Sequence, residues 1–361
     1  MIEAIGHIHS TLSRRAGLAA KTWLAMTWSA LAWSMAGVLC LGSAAPAAAQ
    51  CPPVPPPVRD IDLTRFYADK IGSVVDPKLA AAHKAEVARL TNFLRQVTQD
   101  ADKSWRRSKL DAQIEVGTCA LHWIETWAKA DAWLGTMKTK QAEYQRKWDL
   151  AGVALAYIKV RRFAEPAQRA VIEPWLKRFA DTTRAFFDDL DRKRNNHWYW
   201  LGLAVGAVGI ATDDPKYWDM ARGIMQDAAR DIAPDGTLLA EVERKGRALH
   251  YHAFAVTPLV LLAELAASRG EDWYAFGDGA LHRLADITIA GLANPELFEK
   301  LTDTEQDDAT RPGSGWYYLY KARFPERARV KLDDIPEGHR WLGGNALVLA
   351  EVLAKGGKKP N

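Results

Sequence analysis

Asn195-Asn196-His197-Trp198-Tyr199-Trp200 runs straight into Leu201-Gly202-Leu203-Ala204-Val205-Gly206-Ala207-Val208-Gly209-Ile210. Asparagine ahead of an apolar run is an N-cap signal, because its side chain accepts from the orphan amides of the first turn. Asn195 or Asn196 therefore opens a helix here. The run behind is apolar on every side, so the helix is buried. Its first turn, with amides, an imidazole and indoles, points into an internal cleft. A second segment, Arg247-Ala248-Leu249-His250-Tyr251-His252-Ala253-Phe254, opens another apolar helix with Val256 to Leu265 behind it. Together the two heads offer one cleft a base, amides, a cation and a phenol.

Working outward, the chain reads as helix after helix. Apolar residues recur near helical spacing over Leu79 to Val97, Cys119 to Trp133 and Tyr144 to Phe163. Pro166 opens another helix to about Phe187, as proline does in a first turn. Pro215 to Ile232, Trp273 to Ala290 and Leu342 to Leu353 complete the set. Strand-like alternation is almost absent. No repeat of fixed period is seen, which argues against a regular solenoid. The expectation is an all-α chain folded as an incomplete α/α toroid (α/α barrel) of antiparallel helical hairpins over residues 77–354. In such a ring the inner helices are the more apolar, so those headed by Asn196 and Arg247 line the cleft. The helix bearing Trp123 and Trp127 is expected near them.

The flanks read differently. Arg14, Arg15 and Lys21 precede an apolar run from Trp23 to Leu41, and Ala47-Ala48-Ala49 offers a small-residue cleavage site. Residues 1–49 are thus expected to be a secretory signal peptide, and the protein periplasmic with no membrane segment after cleavage. Residues 50–76 form a proline-rich arm, then a stretch without helical period that is a candidate lid loop. Residues 355–361 are a flexible basic tail. The formal net charge is +4, and Arg14, Arg15 and Lys21 against Glu3 account for half of it. That is too little for a nucleic-acid binder, which needs a concentrated basic face, yet it suits a polyanion held by a few placed cations. Cys51 and Cys119, two cysteines in an oxidising compartment, are expected to form one disulfide stapling the arm to a helix. No Cys or His spacing reads as a metal site, and no cofactor is expected.

The chain resembles the periplasmic alginate lyases of polysaccharide lyase family 5. The resemblance is carried by Asn195-Asn196-His197 with Trp200, by Arg247-Ala248-Leu249 with Tyr251-His252, and by Leu342-Gly343-Gly344 after Arg340. Cys51-Pro52 and Cys119 with Trp123 also match. It implies an incomplete α/α barrel, the Cys51–Cys119 bridge and a lysine-bearing lid, for which Lys70 is the match. It also implies a catalytic tyrosine seven residues after the arginine. Counted from Arg247, that position is Phe254.

The implied reaction is β-elimination on a uronate polymer such as alginate. The C5 proton is a poor acid, so the adjacent carboxylate must be neutralised while a base removes the proton and an acid protonates the departing O4. Asn196 supplies an amide, and Arg247 a planar cation suited to a carboxylate. His197 can be the base, or a donor to the carboxylate when neutral. Tyr251 or His250, on the face shared with Phe254, is the candidate acid. A cation beside Tyr251 should ease loss of the phenol proton. Trp198, Trp200, Trp316 and Arg340 are candidate substrate-binding residues, since indole faces stack on sugar rings. Two further readings stand beside the lyase. With Phe254 in place of a phenol, the cleft could bind a polyuronate without turnover, as part of an exopolysaccharide secretion machinery. A glycoside hydrolase would draw a carboxylate pair from Asp235, Glu241 and Glu243, which otherwise read as a solvated acidic loop.

Overall fold

The computed structural model describes residues 51–70, 72–188, 194–307, 314–332 and 335–355. The expected leader (1–49) and most of the expected tail (355–361) lie outside them. The helices are α1 (Pro77–Glu86), α2 (Ala88–Arg106), α3 (Leu110–Lys129), α4 (Lys140–Val160), α5 (Pro166–Asp188), α6 (Asn196–Thr212) and α7 (Pro215–Asp231). They continue with α8 (Leu239–Val242), α9 (Ala248–Ala267), α10 (Phe276–Ala293), α11 (Glu296–Thr302), α12 (Trp316–Arg323) and α13 (Ala346–Ala354). Among the described residues, the only strands are Gly338–His339 and Gly344–Asn345, paired antiparallel.

The packing is that of an incomplete α/α toroid. α2, α4, α6 and α9 each lie against the next, and α3, α5, α7 and α10 back them from outside. α6 and α9 are inner helices, as their apolar sequences predict, and nearly all their residues are buried. Lys245–Ala267 is long and apolar enough to cross a membrane by composition, but 89% of its most apolar window is buried within the protein. α4 is also an inner helix. Its sequence hides this, because Arg146, Lys147, Asp149 and Lys159 are buried on it. α3 is an outer helix, which corrects the expectation for Trp123 and Trp127. Both indoles lie in the core and donate to the arm, Trp123 to the Pro52 carbonyl at 3.1 Å and Trp127 to that of Pro55 at 3.1 Å. The expected helix from Leu79 to Val97 is two helices that meet at Val87.

Cys51 and Cys119 are bonded, with Cα atoms 5.2 Å apart and a sequence separation of 68. The bridge and the two indole bonds together seat the arm on α3. Replacing both cysteines with serine is expected to cost about 2–4 kcal/mol, mainly by freeing the unfolded chain. Urea unfolding measures this, and an unchanged midpoint would mean that the indole contacts alone hold the arm.

The turn before α13 positions the far wall of the cleft. Gly343 and Gly344 have φ of 69° and 99°, the left-handed region that favours glycine. A Cβ on Gly343 would meet Leu155, and one on Gly344 would meet the Asp102 carboxylate. The turn can therefore press on α2 and α4. The buried Lys159 pins it there, donating to Asp102 at 2.5 Å and to the carbonyls of Gly343 at 2.7 Å and Asn345 at 3.0 Å. Arg340 and Trp341 are carried into the cleft as a result.

Candidate active site

Asn195 is the N-cap of α6, and its side chain accepts from the His197 amide at 3.0 Å. Asn196 is fully buried. Its main-chain N–H and its Nδ2 donate to one oxygen of Glu241, at 2.7 and 2.9 Å. Glu241 lies on α8, and burial raises its carboxyl above the ordinary range against the pull of the Asn196 donors. It is not a solvated loop residue, because it is fully buried with one oxygen committed to the Asn196 donors. Asp235 is committed likewise, accepting from the N–H and hydroxyl of Thr237 at the turn before α8. Two of the three carboxylates of the hydrolase reading, Glu241 and Asp235, are thus used structurally.

His197 lies half-buried in the first turn of α6. Its ring stacks on Tyr144 of α4, with centroids 3.7 Å apart, and its Nδ1 is 2.8 Å from Lys147 Nζ. Sequence reasoning missed both partners, since α4 carries no sign of a site beyond its aromatic content.

The head of α9 brings a second arginine forward. Lys245 to Arg247 form a 3-10 turn, with Lys245 in the left-handed region at φ 51°. This turn places Arg244, not Arg247, on Tyr251. The Arg244 guanidinium carbon is 3.5 Å from the Tyr251 ring centroid, whereas that of Arg247 is 5.6 Å away and faces Asp307 at 3.8 Å. Arg244 also donates to the Gly72 carbonyl at 2.6 Å, and the Tyr251 hydroxyl bonds the Tyr67 hydroxyl. The loop expected as a lid therefore does reach the cleft, but through Tyr67 and Gly72. Lys70, its expected contact, is exposed and makes none of these bonds. Burial raises the Tyr251 phenol well above its ordinary range, with Tyr67 adding to the rise, and Arg244 and Arg247 oppose it. The expectation that a cation simply eases proton loss is corrected, because here desolvation outweighs it.

His250 is poorly suited to be the acid. Burial, then Arg247 and Arg244, hold its imidazole down at about 3, so it is neutral near pH 7. Phe254 sits in an aromatic wall, with ring centroids 5.0 Å from Trp200, 5.8 Å from Trp148 and 6.3 Å from Trp341. Trp200 is 0% exposed and donates to the Phe254 carbonyl at 2.9 Å. It is core rather than a sugar platform. Trp316 is also 0% exposed, at the start of α12 rather than in an aromatic loop. Trp198 is half-buried and tied to Asp227 at 3.0 Å. Trp148 and Trp341 stack at 4.6 Å, and Arg340 lies 4.6 Å over the Trp341 ring. Of the residues expected to bind substrate, Trp200 and Arg340 lie with this wall, Trp200 as its fully buried backing.

An all-helical ring whose cleft holds amide, imidazole, guanidinium and phenol groups is the framework of a polysaccharide lyase. A profile of the alginate lyase family matches residues 67–298, and the chain belongs to that family. A polysaccharide lyase of Stenotrophomonas maltophilia is 41% identical over 287 residues, spanning 79% of this chain and 85% of that protein. An alginate lyase of Azotobacter vinelandii is 32% identical over 271 residues, covering 72% and 71%. Among solved structures, alginate lyase A1-III of Sphingomonas species A1 superposes with a TM-score of 0.68 at 25% identity, covering 84% of this chain and 89% of that one. A tyrosine-to-phenylalanine variant of alginate lyase A1-III complexed with tetrasaccharide superposes at 0.73 with 27% identity, covering 87% and 88%. A histidine-to-alanine variant complexed with tetrasaccharide superposes at 0.72 with 26% identity, covering 87% of each chain.

Proposed function

We propose that the protein is an exported, periplasmic lyase that cleaves an alginate-type polyuronate by β-elimination, with Tyr251 as the group that exchanges the proton. One observation carries this reading. The tyrosine and histidine altered in the two tetrasaccharide complexes stand 54 residues apart in their chain, and so do Tyr251 and His197 here. The seven-residue spacing from arginine to tyrosine is then met by Arg244 and Tyr251. Phe254 is a wall residue under this reading, and the binding-protein alternative, which rested on it, loses its support.

Asn196, His197 and Arg244 surround the uronate carboxylate and stabilise the enolate-like charge as it develops. The Tyr251 oxygen, as phenolate, takes the C5 proton. The C4–O4 bond breaks as the C4–C5 double bond forms, and the same phenol returns its proton to O4. Glu241 holds the Asn196 amide, and Arg340, stacked on Trp341, offers a neighbouring sugar a charge. The test is ultraviolet absorbance of the C4–C5 double bond on mannuronate-rich, guluronate-rich and glucuronate polymers. Absorbance should rise on at least one polyuronate and on no neutral glucan. A flat trace on all three polyuronates overturns the proposal.

A further inference from the structure

We propose that Lys147 is a positioning residue that donates to His197 Nδ1, fixing the ring's one proton on Nε2, so that His197 meets the substrate as a hydrogen-bond donor and not as a base. The inference rests on the polyuronate lyase reading and assigns the chemistry of one of its groups.

The geometry is specific. Lys147 is 0% exposed, on an inner helix, and its Nζ lies 2.8 Å from Nδ1. The same nitrogen sits over the rings of Trp148 at 4.9 Å, Tyr144 at 5.3 Å and Phe187 at 5.3 Å. Tyr144 also stacks on the imidazole at 18° between planes, so one phenol ring serves both partners. Aromatic faces accept N–H groups and favour positive charge near them. The remaining Lys147 hydrogens are thus accommodated without a carboxylate.

The direction of the bond follows from the donor inventory. A lysine nitrogen has hydrogens to give as ammonium or as amine, and it accepts only as amine. Burial pushes the Lys147 ammonium well below its ordinary value, yet even the amine keeps two N–H groups. Donation is the arrangement open in both states. Protonating His197 would set ring N–H against lysine N–H. A histidine's tautomer is set by what its other nitrogen bonds, and here that partner is buried and caged. The base role expected of His197 from sequence is therefore set aside. Its Nε2–H suits the uronate carboxylate, and the proton exchange is left to Tyr251.

The experiment uses the full protein labelled with nitrogen-15 histidine, with the His197 signals identified by their loss in His197→Gln. The unaltered protein should show Nδ1 as an unprotonated acceptor and Nε2 as protonated. In Lys147→Met the signals should shift toward a mixture of tautomers. Its kcat should fall about 10²-fold, with KM changing less than about threefold, because transition-state contacts are lost rather than ground-state binding. Lys147→Gln, whose amide still donates, should recover roughly a tenth or more of the lost rate. A proton on Nδ1 in the unaltered protein overturns the proposal. So does a Lys147→Met variant with unchanged tautomer and rate. If Lys147→Met fails to fold, the spectrum of the unaltered protein still decides. Absence of unsaturated product from the unaltered protein would defeat the lyase reading, while the tautomer would be judged separately by the spectrum.

Discussion

Tyr251→Phe is expected to lower kcat by about 10²–10⁴-fold, the usual weight of a group that moves a proton in the transition state. The substituted ring should still pack against Arg244, so KM and thermal stability should change little. Phe254→Tyr is the control. It adds a phenol to the aromatic wall beside Trp148 and Trp200 and should give no gain, alone or in the Tyr251→Phe background. A Tyr251→Phe enzyme that keeps a tenth of its rate would take the proton exchange away from Tyr251, and one rescued by Phe254→Tyr would return the catalytic position to residue 254. The pH profile gives a second check. Burial holds the Tyr251 phenol above its ordinary range, so near pH 7 only a small fraction is phenolate. That fraction grows as pH rises toward the phenol's value, and kcat/KM should climb with it from pH 7 to 9. Tyr251→Phe should abolish the climb along with the rate.

Arg244→Ala carries the second large effect. Its guanidinium is the cation on the Tyr251 ring and the tie to the Gly72 carbonyl. Removing a group that stabilises developing negative charge commonly costs about 10²–10³-fold in kcat. Arg244→Lys should restore little, because an ammonium reproduces neither the planar stacking nor the fork. Arg247→Ala should cost at least about tenfold less than Arg244→Ala in kcat/KM, since its guanidinium stands farther from Tyr251 and faces Asp307. Steady-state kinetics on one polyuronate ranks the two. If Arg247→Ala proves the worse, the spacing argument for Arg244 and Tyr251 fails with it.

The two arginines show what a sequence reader can and cannot see. They stand three residues apart, so helical periodicity places both on one face. Their order of approach is decided by the 3-10 turn at Lys245 to Arg247, whose left-handed lysine has no signature in residue type. Lys147 was hidden for a related reason. Charged residues on a helix ordinarily mark its solvated side, and on α4 they are buried instead. What was legible was the part fixed by apolar content and capping. α6 and α9 are buried inner helices, Asn195 caps α6, and the arm is stapled to α3. Trp200 and Trp316 were misjudged because proximity to polar groups in sequence does not distinguish an indole that faces a cleft from one that faces the core. The interior had room for both.

The hydroxyl contact between Tyr67 and Tyr251 joins positions 184 residues apart. Helices can form from neighbours in sequence, and hairpins such as α6 with α7 can pair soon after. A pairing across half the chain must instead wait for its long loop to close. During refolding the hairpins can thus be native while the two phenols are still strangers. Catalytic competence reports a late topological event, the meeting of the chain's early loop with its late inner helix, rather than the amount of helix already formed.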